Sequence, residues 1–371
     1  MGLISDAYTL FYREMLIFKK NIAMNAVRST IFPLLFVLLL GSFGSSPRNV
    51  PVAVVNYASG PAALKFINTL QSGSSVVIVA QTNQQDAMSM LSDGSVAGVI
   101  VIPSGFSTGY GSNSQIHVYL DNSQPQSAAV VNAQVSTAAA QFGGSSGSSL
   151  QGSPVSVISS YAYGASSNYI SFVVGGILVM VASFGAVFSA GFTVISDRQL
   201  GNLKAFLTTP INNFSVLLSK IAYGTFQSVF SAYVGLVIGL LYGATIAAGL
   251  VGFIELLWII LLVGLGFGSL AIALATRAKE QQTYALIGQT LVLPLSFLGG
   301  AFVPVTLLPK FLLPVVTLDP LTYAVNAVRD IMIKGFLPVP TLISTSAILL
   351  FFALIMATIA YVLFRDTSKQ I

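Results

Sequence analysis

Apolar and polar positions fall in blocks along this chain, and the blocks predict two kinds of element. Apolar runs at 24–44, 169–195, 214–242, 253–276, 283–303 and 342–364 suit helices crossing a hydrocarbon core about 30 Å thick. The first is short for such a core, with its apolar centre at Ile31 to Phe43, Arg28 placed to snorkel to the headgroups and Pro33 placed to kink it. Residues 1–23 precede it with another rhythm. Ile4, Tyr8, Phe11, Met15, Phe18 and Ile22 recur at helical spacing, while Asp6, Arg13, Glu14, Lys19 and Lys20 take other positions. That amphipathic pattern predicts a helix lying in the membrane interface.

Residues 45–168 break the rhythm. They are rich in Ser, Gly, Asn and Gln. Short β-branched runs at Val50–Val55, Val76–Ala80, Val96–Ile102 and Gln115–Leu120 predict strands. Pro61–Gln71 and Gln84–Leu91 have helical periodicity, so the order β-α-β-α-β-β predicts a small α/β domain with a mixed sheet. Pro125–Phe142 reads as a helix leading back, and Gly143–Pro154 as a flexible linker. A second irregular stretch, 304–338, is interrupted by Pro304, Pro309, Pro314 and Pro320 and then becomes amphipathic over Leu321–Lys334. Thr322, Asn326, Arg329 and Asp330 fall on one side there, and the stretch predicts re-entrant or outer-interface helices.

Composition turns these patterns into a class. The 371 residues are 54% hydrophobic and 7% charged, with mean hydropathy +0.84, whereas soluble domains carry about 25% charged residues. A bilayer must solvate much of this surface. The expected fold is an α-helical polytopic membrane protein of six transmembrane helices, with an inserted extracytoplasmic α/β domain. No cleavable signal peptide is expected, because the first twenty-odd residues are polar and no small-x-small site follows the apolar run. The net charge of +5 is not a nucleic-acid footprint, since the basic residues lie scattered between apolar runs. They do orient the chain. With both termini inside, 11 of the 16 Lys and Arg residues fall on inner segments, and residues 45–168 lie outside.

Candidate chemistry is sparse. The chain has no Cys and one His, His117, on a predicted strand, so a thiol nucleophile is excluded and a zinc site lacks ligands. No metal or cofactor is expected on this chain. No Gly-Lys pair occurs anywhere, so the phosphate-cradling Walker A pattern is absent. The spans carry almost no ionisable group at their centres. Glu255, at the outer end of the fourth, reads as an interfacial carboxylate.

The segment 196–210 stands out between two apolar runs. Leu200, Leu203, Phe206 and Leu207 form an apolar stripe, Asp197 stands near the expected helix start, Lys204 follows, and Thr208-Thr209-Pro210 ends the element. It predicts a short helix over 196–209 on the cytoplasmic side. This segment resembles the cytoplasmic loop of ABC-2 type exporter permeases, in which an acidic-Arg-x-x-Gly-x-Leu pattern leads to Thr-Pro. Here the pattern is Asp197, Arg198, Gly201, Leu203, Thr209 and Pro210. Gly299-Gly300-x-Phe302-x-Pro304, Leu308-Pro309 and Pro320-Leu321-Thr322-Tyr323 with Arg329 are similar to the family's outer return segment. The layout of one span, a large outer domain and five further spans is similar too, so the resemblance covers essentially the whole chain.

The resemblance implies a permease with no enzymatic activity of its own. It would pair with a second copy, most simply as a homodimer, and with ABC ATPase subunits that hold ATP and Mg. Asp197, Arg198, Gly201, Leu203, Lys204 and Phe206 would form the coupling helix that the ATPase moves. The amphipathic N-terminal segment would add a contact, and Pro320, Tyr323 and Arg329 would belong to the outer return helix. Phe184, Phe188, Phe192, Phe226, Gln227, Phe230, Gln289 and Phe297 are candidates for a transport path along the dimer interface. Such a path, poor in charge, suits a drug-like compound or a lipid exported across the cell membrane. Two other readings stay open from sequence: an ion-coupled secondary transporter, and a membrane-anchored protein whose outer domain binds a ligand. An intramembrane enzyme is disfavoured, because a Ser nucleophile would lack an activating base.

Overall fold

The computed structural model describes residues 3–42, 49–73, 75–107, 115–121, 125–144, 155–161, 169–202, 211–302, 304–305 and 308–368. They form two compact units, Met1–Ser42 with Val173–Ile371, and Phe43–Phe172. In chain order the elements are α1 (Leu3–Lys20), α2 (Ile22–Ser42), β1 (Val50–Asn56), α3 (Pro61–Ser72), β2 (Val76–Gln81), α4 (Gln84–Ser92), β3 (Gly98–Ile102), β4 (Gln115–Leu120), α5 (Pro125–Gly144) and β5 (Ser156–Tyr161). The helices α6 (Tyr169–Gln199), α7 (Asn213–Leu241), α8 (Gly249–Arg277), α9 (Gln281–Leu298), α10 (Leu313–Leu318), α11 (Pro320–Arg329) and α12 (Val339–Ser368) follow.

In the unit Phe43–Phe172 the strands form one sheet in the order β2-β1-β3-β4-β5. β1 runs parallel to β2 and β3, β3 pairs antiparallel with β4, and β4 pairs parallel with β5. The central strands β1 and β3 are apolar on both faces because both faces are covered. Val52, Val54, Ile100 and Ile102 pack with Phe66 and Leu70 on one side, while Val55 and Val99 pack with Ala87 and Leu91 on the other. β5 occupies a stretch from which no element was expected. His117 on β4 lies opposite Val101 and is half-buried. Among the described residues no cluster of potential ligands could hold a metal ion.

The helical unit is membrane-like. Among the described residues, four helices are long and apolar enough to cross a bilayer: Ile170–Gln199, Asn213–Leu241, Gly249–Arg277 and Val339–Arg365. A fifth is added if Leu3–Lys20 and Asn25–Leu38, bent by 87° from one another, count as one broken span. The chain is therefore polytopic, with four or five crossings by length and composition against the six expected. The shortfall has a cause at the expected fifth span. There α9 is 18 residues long and contains Pro294, and its glutamines at 281, 282 and 289 dilute its apolar content.

The helix α6 is central, with 83% of its most apolar stretch buried, whereas α12 has only 22% buried and presents most of its surface outward. Small residues set the spacing between helices. A Cβ on Gly264 of α8 would lie 3.0 Å from the Thr225 backbone of α7, and one on Gly176 of α6 would lie 1.9 Å from the Ala301 carbonyl.

α1 departs from its expected facing. Its buried side holds Asp6, Ala7, Leu10, Glu14 and Phe18, while Ile4, Tyr8, Tyr12 and Leu16 are exposed. The charged positions expected to face water are partly turned inward, and the reason is a set of long-range ion pairs.

Candidate functional site

α6 does not stop before the polar segment that follows its apolar run. It continues to Gln199, and Gly201, at φ 75°, ends it in the left-handed region that glycine adopts without strain. Asp197 and Arg198 therefore lie in the last turn of the long helix rather than at the start of a separate one. This corrects the expected 196–209 helix at its beginning. No breaker precedes Gly201, so helix propagation carries through the charged pair. Leu203, Lys204, Phe206 and the Thr-Pro stop lie outside the described residues.

The new position changes what Asp197 does. A helix C-terminus carries partial negative charge, so a carboxylate there needs cations. Arg13 of α1 supplies a two-pronged contact, with Nη2 donating to Oδ1 at 2.9 Å and Nη1 to Oδ2 at 3.3 Å. Lys220 of α7 donates to the same carboxylate and to Glu14 Oε1 at 2.6 Å. Asn202 Nδ2 adds a bond to Asp197 Oδ1 at 3.2 Å. Asp197, Glu14 and Lys220 are each under 5% exposed. The four charges sum to zero, as burial requires. Asp197 is therefore an internal joint and not a surface contact.

Arg198 turns to a different neighbour. Its Nη1 donates to the Ala278 carbonyl at 2.8 Å and its Nη2 to the Thr276 carbonyl at 3.2 Å. These are carbonyls at the C-terminus of α8, where a helix leaves acceptors unsatisfied. Two consecutive residues at the end of α6 thus grip three helices, α1 and α7 through Asp197 and α8 through Arg198. Leu200 is 71% exposed just beyond them.

The candidate path residues separate into groups. Phe184, Phe188, Phe192, Gln227 and Gln289 line a cavity of about 300 Å³ between α2, α6, α7 and α9. Phe226 and Phe230 instead meet Phe18 of α1 edge-on, with ring centroids 5.2 and 5.1 Å away. Phe297 packs on Phe302 at 4.4 Å. Sequence reasoning missed Ser29 and Ser231, which also line the cavity and whose hydroxyls bond at 3.0 Å. Nothing local marks two serines on different helices as neighbours.

The return segment is built around Asp319, which caps α11 by accepting from the Leu321 N–H at 2.9 Å, with Pro320 beginning the helix. Tyr323 donates to the Thr317 carbonyl at 2.8 Å. Arg329, expected on a shared polar side, is 5% exposed and donates to the Ala301 carbonyl at 3.1 Å. Thr322 is buried as well, whereas Asn326 is exposed. The polar side is divided because Arg329 and Thr322 satisfy buried carbonyls. Asp319 is 2% exposed and its Oδ2 has no partner. Burial pushes its carboxyl up to about 7, against the opposing pull of the Leu321 N–H. Burial also raises Asp330, which Lys334 partly counters from 2.9 Å. Glu255, expected at an interface, is half-buried with Oε2 unpartnered.

Comparison with known proteins adds an independent line. Residues 28–362 match the model of a family described as ABC-2 family transporter protein. The chain is similar to ABC transporter G family member 20 of Dictyostelium discoideum, 23% identical over 311 residues, covering 79% of this chain and 41% of that protein. It is similar to Nodulation protein J of Rhizobium meliloti (strain 1021), 29% identical over 172 residues, 45% of this chain and 63% of that one. A third relative is named "Probable multidrug ABC transporter permease YbhR", from Escherichia coli (strain K12), 25% identical over 174 residues, 46% of each chain. The chain spans about half the length of these relatives.

Proposed function

This chain belongs to the ABC-2 family of transporter proteins, and on that premise we propose that it is the membrane-spanning subunit of an exporter whose ATPase resides on a separate chain. ATP and Mg are bound by that partner, and this chain catalyses nothing. Two copies assemble, since one chain offers few crossings around a path. α2, α6, α7, α8, α9 and α12 make six crossings per copy. Both termini and the segment 203–210 face the cytoplasm, and residues 45–168 lie outside, as the distribution of Lys and Arg favours. The exposed apolar side of α1 rests in lipid at the inner interface.

The observation that carries this reading is the joint at the end of α6. A segment pushed by a soluble motor moves a membrane domain only if the push reaches several helices together. Asp197 and Arg198 stand immediately before that segment and hold α1, α7 and α8. Leu203 and Phe206 would anchor the following turn in the ATPase, with Lys204 at the rim. The substrate is apolar or amphipathic, in keeping with a cavity walled by Phe184, Phe188 and Phe192. An ion-coupled carrier is less well supported, because Asp197 is neutralised at a helix end and Glu255 lies in the second turn of α8.

Co-purification tests the reading. Wild-type chain should bring down its ATPase partner, and Phe206→Asp should lose it while remaining monodisperse. Transport by the purified chain alone, driven by an ion gradient, would overturn the proposal.

A further inference from the structure

Where the end of α9 meets the start of α11, a buried carboxyl has no charge to answer it. Asp319 caps α11 through Oδ1, which accepts from the Leu321 N–H at 2.9 Å, while its Oδ2 is buried and unpartnered. That second oxygen lies beside the C-terminus of α9. A Cβ built on Gly299, the residue that caps α9, would be 3.0 Å from Asp319 Oδ2, 3.0 Å from the Leu295 carbonyl oxygen and 3.0 Å from Leu321 Cβ. Glycine at 299 thus leaves room for the carboxyl next to the last carbonyls of a helix, which carry partial negative charge. Burial and this helix end both disfavour the carboxylate. The start of α11 favours it, and burial prevails, so the carboxyl is pushed up to about 7. No nearby charge relieves it. α9 has no ionisable residue beyond Tyr284, near its other end, and α10 has none. On α11, Tyr323 is tied to the Thr317 carbonyl, and Arg329 reaches the Ala301 carbonyl from the opposite end of the helix. Asp330 and Lys334 pair with each other beyond it. α8 carries Glu255 and Arg277, α12 carries nothing ionisable before Tyr361, and Lys310 opens the turn before α10. Among the described residues, burial and the Leu321 N–H alone act on the Asp319 carboxyl.

We propose that Asp319 is a proton-operated latch: the neutral carboxyl holds the start of α11 against the end of α9, and the carboxylate draws water into the seam and frees the two helices from one another. The proton is exchanged with water during brief openings of the seam, and no other bond forms or breaks. A latched carboxyl near 7 against about 4 for one in water gives the direction. The proton's contribution to closure is complete below about pH 4 and gone above about pH 7, so the open fraction rises about tenfold per pH unit between those limits and is level outside them. On the permease reading above, the seam lies on the outer side, and acidity outside the cell keeps it shut. The latch itself does not depend on that reading.

The chain has no cysteine, so single thiols report the seam. Leu321→Cys sits in it, where the native side chain is 1% exposed, and Leu318→Cys, where it is 85% exposed, corrects for the titration of the thiol itself. The full-length chain in lipid nanodiscs, with no ATPase, is labelled with a polar maleimide from about pH 5 to about pH 8. The rate at Leu321→Cys relative to Leu318→Cys should climb about tenfold or more between about pH 5 and about pH 7 and then level off. Asp319→Asn is neutral at every pH and still accepts from the Leu321 N–H, so in that background the ratio should stay low and flat. A ratio that ignores pH with Asp319 in place would overturn the latch, as would the same climb with Asn. Hydrogen exchange needs no introduced thiol and covers the case in which Leu321→Cys misfolds. After correction for intrinsic pH dependence, protection over 321–328 should fall across the same range in wild type and not in Asp319→Asn, and equal profiles would also overturn the proposal. A chain that fails these tests yet co-purifies with an ATPase loses only the latch. A chain that passes them but never associates with an ATPase keeps the latch and loses the permease reading.

Discussion

Asp197 is held at the candidate site by three different side chains. It ends a helix whose carbonyls already repel it, and it is held by Arg13 and Lys220. Those two cations are not equivalent. The Lys220 side chain is 4% exposed and that of Arg13 is 34% exposed. Removing Lys220 leaves the buried Asp197 and Glu14 carboxylates to share the single, part-exposed Arg13, and breaking such a buried set typically costs about 3–5 kcal/mol. Lys220→Met should therefore lower the thermal midpoint in detergent far more than Arg13→Met, whose partners keep Lys220; equal losses would contradict the assignment of Lys220 as the internal counter-charge. Asp319 yields a pH prediction of definite sign. Its folded-state pKa of about 7 lies above the ordinary value of about 4, so the folded chain keeps a proton that the unfolded chain releases. The associated stability is present below about pH 4 and is lost as pH rises toward 7. Asp319→Asn retains the acceptor for the Leu321 N–H and removes this titration. Melting curves from pH 4 to 8 should therefore fall more steeply for wild type than for the variant, and parallel curves would show that Asp319 stays ionised.

At the scale of elements, α6 is organised by what it lies against. Gly176 allows the Ala301 carbonyl to approach closely, and a Cβ there would come within 1.9 Å of backbone that has little room to retreat. Gly176→Ala should destabilise the helical unit by about 1–3 kcal/mol, as overpacking does, while an exposed change such as Leu200→Ala should leave the midpoint unmoved. The long helices were legible because their apolar runs are uninterrupted, and the strands β1 to β4 because β-branched runs are bounded by turn residues. β5, by contrast, is Ser-Val-Ile-Ser-Ser-Tyr. It is mostly exposed and joined to β4 through backbone pairing, which leaves no apolar alternation to read. The end of α6 is illegible in the sequence for a related reason. A charged pair after an apolar run looks like a loop unless its partners are known, and Arg13 is separated from Asp197 by 184 positions. The same distance effect hid the inward turn of Glu14 on α1. Five aromatic and amide positions chosen from the spans do lie on one cavity, because an i, i+4 repeat of Phe on a helix makes a strip whatever the neighbours are. The partners of Phe226, Phe230 and Phe297 depended on packing that no local pattern contains.

At the scale of the whole molecule, the chain reads as a transmission element. One helix end joins three others, the segment proposed to meet the motor follows it in the chain, and a cavity with no ionisable group among its described lining residues opens along the same central helix. If a motor acts on that segment, the environment of Leu200 must change when ATP is used. The chain has no cysteine, so Leu200→Cys introduces a single thiol for an environment-sensitive fluorophore, at a position that is exposed and clear of the ion-paired joint. In proteoliposomes containing both chains, ATP should shift the emission of that label. The shift should vanish when the ATPase chain is left out and when Phe206→Asp is added to the labelled chain. An emission that ignores ATP with the ATPase bound, or that responds to ATP with no ATPase present, would contradict a permease driven through this segment.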